Sequence, residues 1–389
     1  MPGREIVILS AARTPIGKYG GALRDLHPAE LGATAARAAI ARAGVQSRDI
    51  DEVWIGHARQ AGSGPNPGRQ VAHRAGIPYE TPAQTVNKAC ASGLQAIVSG
   101  AQSILAGDAD VVLAGGIESM SRMPYLIDSV DARWGHRMGH FGLVDAMYRD
   151  GFHCPLCNQV MGETAETLAR NYGITRDQSD CFALESQRKA RAAMDGGHFV
   201  REIASVGAVS RDEHPRETTL ELLRALPLVF GDGIITAGSS SGITDGGAAV
   251  VLSSAEKAGA LGLKPRARIV GWASAGVDPA VMGVGPVPAI RKLERRTGLR
   301  VDDFDLVELN EAFAPQVLAV LQEIPISADR LNVNGGAIAL GHPIGCTGTR
   351  IVVSLVHELE RRGGALGLAT LCVSGGMGMA LAIERCASQ

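Results

Sequence analysis

The sequence predicts an α/β protein in which one strand-and-helix pattern is laid down twice around an inserted segment. Three observations carry this. Short uninterrupted apolar runs alternate with helix-like stretches in the first part of the chain. The same pattern returns near the end, in matching order. Between the two copies the regularity breaks.

"EIVILSAA" reads as the first strand, and "PAELGATAARAAIARAG" as a helix with Pro28 in its first turn and Gly44 at its end. "DEVWIG" and "ADVVLAGG" are further short strands, separated by a helix that follows Cys90. Such continuous apolar runs suit a largely parallel sheet covered by helices. Near the end, "VDDFDLVELNEAF" echoes "SRDIDEVWIG", "LNVNGG" (331–336) echoes "QTVNKA" (84–89), and "GLATLCVSGG" (367–376) echoes "DVVLAGG" (110–116). Residues 120–243 stand apart. "SRMPYLIDSVDARWGHRMGHFG" mixes Arg, His, Met and aromatics without a period, as an excursion over a surface or interface would. Helices follow in "GETAETLARNYG" and "RDQSDCFALESQRKARAAMDGG", then the polar "RDEHPRETT". The expected division is 1–119 plus 244–268 as a first half, 120–243 as an inserted loop domain, and 269–389 as a second half.

Composition narrows the function. The 389 residues are 46% hydrophobic and 20% charged, an ordinary globular balance. A net charge of −2 and only 4% aromatics argue against a nucleic-acid partner. Seven cysteines at irregular spacing suit a reducing compartment, and cytoplasm is the expected location. No run approaches the length of a membrane span, and neither the "MPGRE" start nor the "ASQ" end reads as a targeting signal.

Three loops hold reactive side chains. Cys90 lies in "NKACASGLQA", directly before a helix, where the peptide dipoles would lower a thiol pKa. His342 sits in a Gly-His-Pro-x-Gly turn, and Cys372 ends a strand before a glycine-rich turn. Singly, each has a plain structural reading: a packed small residue, a loop tie, a strand residue. Together, at strand and helix ends, they suggest a thiol nucleophile with an imidazole to take its proton.

The chain resembles the thiolases over nearly its whole length. "SAARTPIGKYGGAL", "NKACASGLQA", "AGGIESMSRMPY", "MGETAE", "TAGSSSGITDGGAAV", "GVDPAVMGVGPVPA", "NEAFA", "NVNGGAIALGHPIGCTG" and "LCVSGGMG" carry the likeness, in family order. It implies a layered α-β-α-β-α fold and an acetyl-CoA acetyltransferase. Such an enzyme reversibly condenses two acetyl-CoA to acetoacetyl-CoA and CoA through an acetyl-cysteine, with CoA thioesters as substrates and no cofactor. The related alternative is a longer-chain 3-ketoacyl-CoA thiolase of β-oxidation. The resemblance assigns Cys90 as nucleophile, Cys372 as the acid/base at the α-carbon, His342 as activator of Cys90, and Asn310 as holder of a water. Backbone amides of Cys90 and Ser374 form a second oxyanion hole, beside the one shared by His342 and Asn310. Ser241, Met161, Met282, Phe313 and Arg216 fall at the CoA and acyl contacts. A homo-oligomer, dimer or tetramer, is implied.

There are departures. Ser374 replaces a family glycine, Val160 stands where many members carry histidine, and the stretch from Arg216 to Phe230 is short by about one residue. A ketoacyl synthase is disfavoured because Cys372 stands where such enzymes need histidine or asparagine. An inactive acyl-CoA-binding relative is disfavoured by the intact catalytic four. "FHCPLCN" offers His153, Cys154 and Cys157, but no second ligand pair follows, so neither a metal site nor redox chemistry is expected there.

Overall fold

The structure, a computed structural model, describes residues 4–127 and 129–386; Met1–Gly3 and the terminal "ASQ" read above lie outside the described residues. The first half lays down β1 (Ile6–Arg13), α1 (Pro28–Ala43), β2 (Glu52–His57), α2 (Pro67–Arg74), β3 (Ala83–Val86), α3 (Ser92–Ala106) and β4 (Val111–Ser119). The insertion contributes α4 (Met161–Tyr172) and α5 (Arg176–Asp195), and the chain returns through β5 (Thr244–Ser254). The second half comprises β6 (Ala267–Gly276), α6 (Pro286–Thr297), β7 (Leu306–Leu309) and α7 (Ala314–Glu323). It closes with α8 (Ile344–Arg362), β8 (Leu366–Val373) and β9 (Met377–Arg385).

Local chemistry sets the ends of α1. Pro28 suits its first turn, Glu30 reaches back to the His27 amide, and Gly44 ends it at φ 73°. The strands order as β7-β8-β9-β6-β1-β5-β4-β2-β3. Pairing is mixed, and this corrects the expected parallel sheet. β3, β2 and β4 run parallel, as do β7 and β8, whereas β4/β5, β5/β1, β8/β9 and β9/β6 are antiparallel. The apolar runs reflect burial on both faces, which the layering imposes whatever the strand direction.

The duplication is visible in the order itself. β3-β2-β4-β5-β1 matches Leu331, β7, β8, β9 and β6, with Leu331 bridging Val307 in parallel as β3 pairs with β2. All three sequence echoes fall on equivalent strands. Five layers result. Alternate residues of β1 part ways: Ile6 and Ile8 face α3 and α8, while Val7 and Leu9 face α1 and α2. In the second half Leu371 and Leu381 face α8, and Leu368 and Ala382 face α6 and α7. The segment Ala89–Ala106 is in fact long and apolar enough to cross a membrane by composition. Its apolarity serves burial, because α3 is packed between the strands of the first half and α8.

The excursion after β4 exposes Tyr125, Trp134, Met138 and Leu143. The rest of the insertion is anchored by Arg13, fully buried, which reaches Glu202 at 2.6 Å and Asp212 at 2.7 Å.

Candidate active site

The turn before α3 is held under strain. Ala89 adopts φ 44°, a left-handed conformation that costs a non-glycine residue about 1–3 kcal/mol. Asn87 and Ser92 pin it: the Asn87 side-chain Oδ1 accepts the Ala89 amide at 3.0 Å, and the Ser92 hydroxyl accepts that of Lys88 at 2.9 Å. Cys90 therefore projects from a fixed turn, one residue before the Ala91 cap of α3. The expected depression of its pKa does not occur. Burial pushes the Cys90 thiol up, against the Arg59 charge and the amides of Ser374 and of Cys90 itself. Desolvation of the half-buried thiol outweighs that charge and those amides.

Glycines bring the second half close. A Cβ on Gly348 of α8 would lie 2.3 Å from the Leu94 nitrogen of α3, so only glycine permits the crossing. The loop entering α8 carries His342, whose amide donates to Gly242 at 3.0 Å. Its Nδ1 lies 2.6 Å from the Thr347 hydroxyl, which itself donates to the Pro343 carbonyl at 3.0 Å. That network assigns the proton of the neutral ring to Nδ1 and leaves the lone pair on Nε2. Nε2 is buried without a protein partner. Burial, then the charges of Arg350 and Arg59, lower the His342 pKa to about 3, so the ring is neutral at working pH. Asn310 is also buried, with both ends of its side-chain amide unpartnered in the protein. A water or a substrate oxygen would satisfy these groups.

Cys372 ends β8, fully buried, and its thiol is pushed far above the ordinary range by burial and by proximity to Cys90. Around it cluster Met282 and Ala312, with Met161 and Phe313 packed alongside. Ser374 follows in the turn, and the positive φ values fall on Gly375 (85°) and Gly376 (83°), so the serine takes the family glycine's place without strain. Its amide reaches the Cys90 sulfur.

A cavity of about 790 Å³ is lined by Met161, Arg216, Ser241 and Phe313, as well as Val160 and Phe230. Arg216 is exposed and forms no ion pair among the described residues; its guanidinium donates to the Ala237 carbonyl at 3.4 Å. Met282 lies outside this lining, in the cluster around Cys372. A second cavity, about 600 Å³, is lined by Arg59, Ala89 and Ser374 and by Cys154 of the Cys-x-x-Cys hairpin. Among the described residues no three His, Cys, Asp or Glu side chains gather as a metal site would require.

Three further side chains shape the site without a motif to mark them. Glu118, fully buried, accepts the Arg59 amide at 3.2 Å and the Gly345 amide at 2.9 Å, tying the loops of both halves together. Its signal was a lone carboxylate in the apolar run "LAGGIES". Arg59 supplies positive charge toward Cys90 and His342. Thr347, five residues after His342, orients the ring.

The thiolase N-terminal domain matches residues 6–256, and the thiolase C-terminal domain residues 263–385. The chain belongs to the thiolase family. Among similar thiolases is the acetyl-CoA acetyltransferase of Pseudomonas aeruginosa, 49% identical, with 98% of this chain and 100% of the relative covered. That of Escherichia coli strain K12 is 48% identical, with 98% and 99% covered. The crystal structure of the Bacillus anthracis acetyl-CoA acetyltransferase superposes with a TM-score of 0.96 at 45% identity, covering 99% of each chain. The human mitochondrial 3-ketoacyl-CoA thiolase in complex with CoA gives 0.95 at 43%, covering 99% of this chain and 98% of that one. This thiolase thus has the layered α/β fold expected, and it is an enzyme.

Proposed function

We propose that this thiolase condenses two acetyl-CoA to acetoacetyl-CoA and CoA, reversibly, through an acetyl group carried on Cys90. The carrying observation is the pairing of two thiols from opposite halves. Cys90 has amide donors at its sulfur; Cys372 is buried beside it with a strongly raised pKa. In the first half-reaction Nε2 of His342 takes the Cys90 proton as the thiolate attacks the thioester carbonyl. CoA leaves as thiolate and takes the proton of Cys372. The Cys372 thiolate, a strong base because its pKa is raised, then removes an α-proton from the second acetyl-CoA. The enolate attacks acetyl-Cys90, and Cys90 leaves, recovering its proton from His342. Every proton is returned.

Both oxygens that become anionic need donors. The amides of Cys90 and Ser374 would serve one, and His342 with a water on Asn310 the other; each such donor is worth roughly 3–4 kcal/mol. The larger cavity suits the pantetheine arm, with Ser241, Met161 and Phe313 along it, Met282 closing the acyl end, and Arg216 toward a CoA phosphate. CoA enters as substrate, and no cofactor is needed. The free cysteines support a cytoplasmic location, and exposed Tyr125, Trp134 and Met138 support a homo-oligomer.

The test is incubation of purified enzyme with acetyl-CoA, with acid quench and peptide mass analysis, followed by thiolysis of 3-ketoacyl-CoA of increasing length. An acetylated Cys90 peptide and fastest thiolysis of acetoacetyl-CoA are expected. No acetyl-enzyme, or a rate that rises with chain length, would overturn the reading.

A further inference from the structure

The Cys-x-x-Cys hairpin, set aside in the sequence, lies against the oxyanion turn. Strands of two residues, His153–Cys154 and Gln159–Val160, pair antiparallel across a tight loop. Asn158 at φ 53° turns that loop, and its side-chain Oδ1 lies 3.1 Å from His153 Nε2. Both cysteines are free thiols. Cys154, Pro155 and Leu156 share the 600 Å³ cavity with Ser374 and Gly375. The hairpin lies beside that turn, since a Cβ added at Gly375 would come into ordinary van der Waals contact with the Leu156 methyl at 3.7 Å.

We propose that Cys154 and Cys157 form a reversible dithiol–disulfide switch, oxidised by a small organic disulfide, that sets the position of the Ser374–Gly375 turn and hence the activity. This rests on the function proposed above. The chemistry supports the direction of attack. Burial alone would raise Cys154, but the amides of Cys157 and Leu156, the Cys157 thiol and the Gly375 amide outweigh it and hold Cys154 below the ordinary thiol value. Cys157 is raised by burial and by Cys154, and keeps its proton. The Cys154 thiolate attacks the small disulfide, forming a mixed disulfide and expelling one thiolate. Cys157 then loses its proton and attacks the Cys154 sulfur, expelling the second. The protein loses two electrons; the small disulfide becomes two thiols. The product sulfur no longer carries the charge that receives the Gly375 amide. The turn next to the Ser374 donor is thereby released.

The test equilibrates the full-length enzyme with mixtures of reduced and oxidised glutathione, traps free thiols with iodoacetamide and maps peptides. Activity on acetyl-CoA is followed in the same samples, for the wild type and for Cys157→Ser. A Cys154–Cys157 disulfide should appear as the mixture becomes oxidising, activity should fall at least tenfold in step, and reduction should restore both. Cys157→Ser should match the reduced wild type when fully reduced and form no internal disulfide. Absence of the disulfide, its formation with unchanged activity, or loss of activity through oxidation of Cys90 or Cys372 would each overturn the switch. The disulfide is read by mass, independently of catalysis. A reduced wild type without activity would instead indict the functional reading.

Discussion

Cys90 and Cys372 are chemically the same group, and burial with neighbouring charge gives them separate tasks. Both are raised above the ordinary thiol value, Cys372 by the additional effect of Cys90. Iodoacetamide should therefore label Cys90 slowly at neutral pH, with a rate that climbs past the usual thiol titration. Rapid labelling of Cys90 at pH 7, with no rise at higher pH, would contradict this. His342 supplies a pH signature. Unfolded, it titrates near 6.5; folded, it is lowered to about 3 by burial, Arg350 and Arg59. Between those values the unfolded chain binds the extra proton. Stability is whole above pH 6.5 and falls as pH drops toward 3. Denaturant unfolding of His342→Asn should show a shallower acid limb, with the rest shared by His357, also lowered to about 3, and by His27 and His214, both lowered mainly by burial. An unchanged limb would refute the assignment. The positions of these residues were legible in their motifs. Their ionisation was not: a thiol beside a helix start reads as activated, and only the packed layers reveal the desolvation that reverses it.

At the level of elements, the crossing of α3 and α8 positions the chemistry. Gly348→Val would push a side chain into the Leu94 backbone, which cannot yield as a flexible side chain could. Overpacking of this kind costs roughly 1–3 kcal/mol. Activity should fall more than stability, because the Cys90 turn and the His342 loop separate together. Thermal unfolding and kcat, measured side by side, check this; full activity would show that the crossing does not set the site. Helix ends such as Pro28 and Gly44 were readable because capping is local. Strand direction was not, because an apolar run is equally apolar in either direction.

Across the whole molecule, two copies of one topology each supply a thiol, and the insertion covers the site between them. Arg13 fastens that insertion through Glu202 and Asp212. Arg13→Met would leave both carboxylates buried without their cation, a loss of about 3–5 kcal/mol seen as a lower midpoint in denaturant. A midpoint within error of the wild type would show the anchor to be dispensable. The duplication itself was legible in three short echoes, since equivalent strands face equivalent neighbours. The role of Glu118 in tying the halves was not, because its partners, the amides of Arg59 and Gly345, are 59 and 227 residues away.

Each half contributes one thiol with its own task, and Cys372→Ala separates the two tasks. The variant and the wild type are each incubated with acetyl-CoA, quenched in acid, and examined for acetyl on the Cys90 peptide and for acetoacetyl-CoA. Cys372→Ala should still acquire acetyl on Cys90, slowed by loss of the proton donor to CoA, and make almost no acetoacetyl-CoA. Normal condensation by this variant, or stable acetylation of Cys372 in the wild type, would contradict this division.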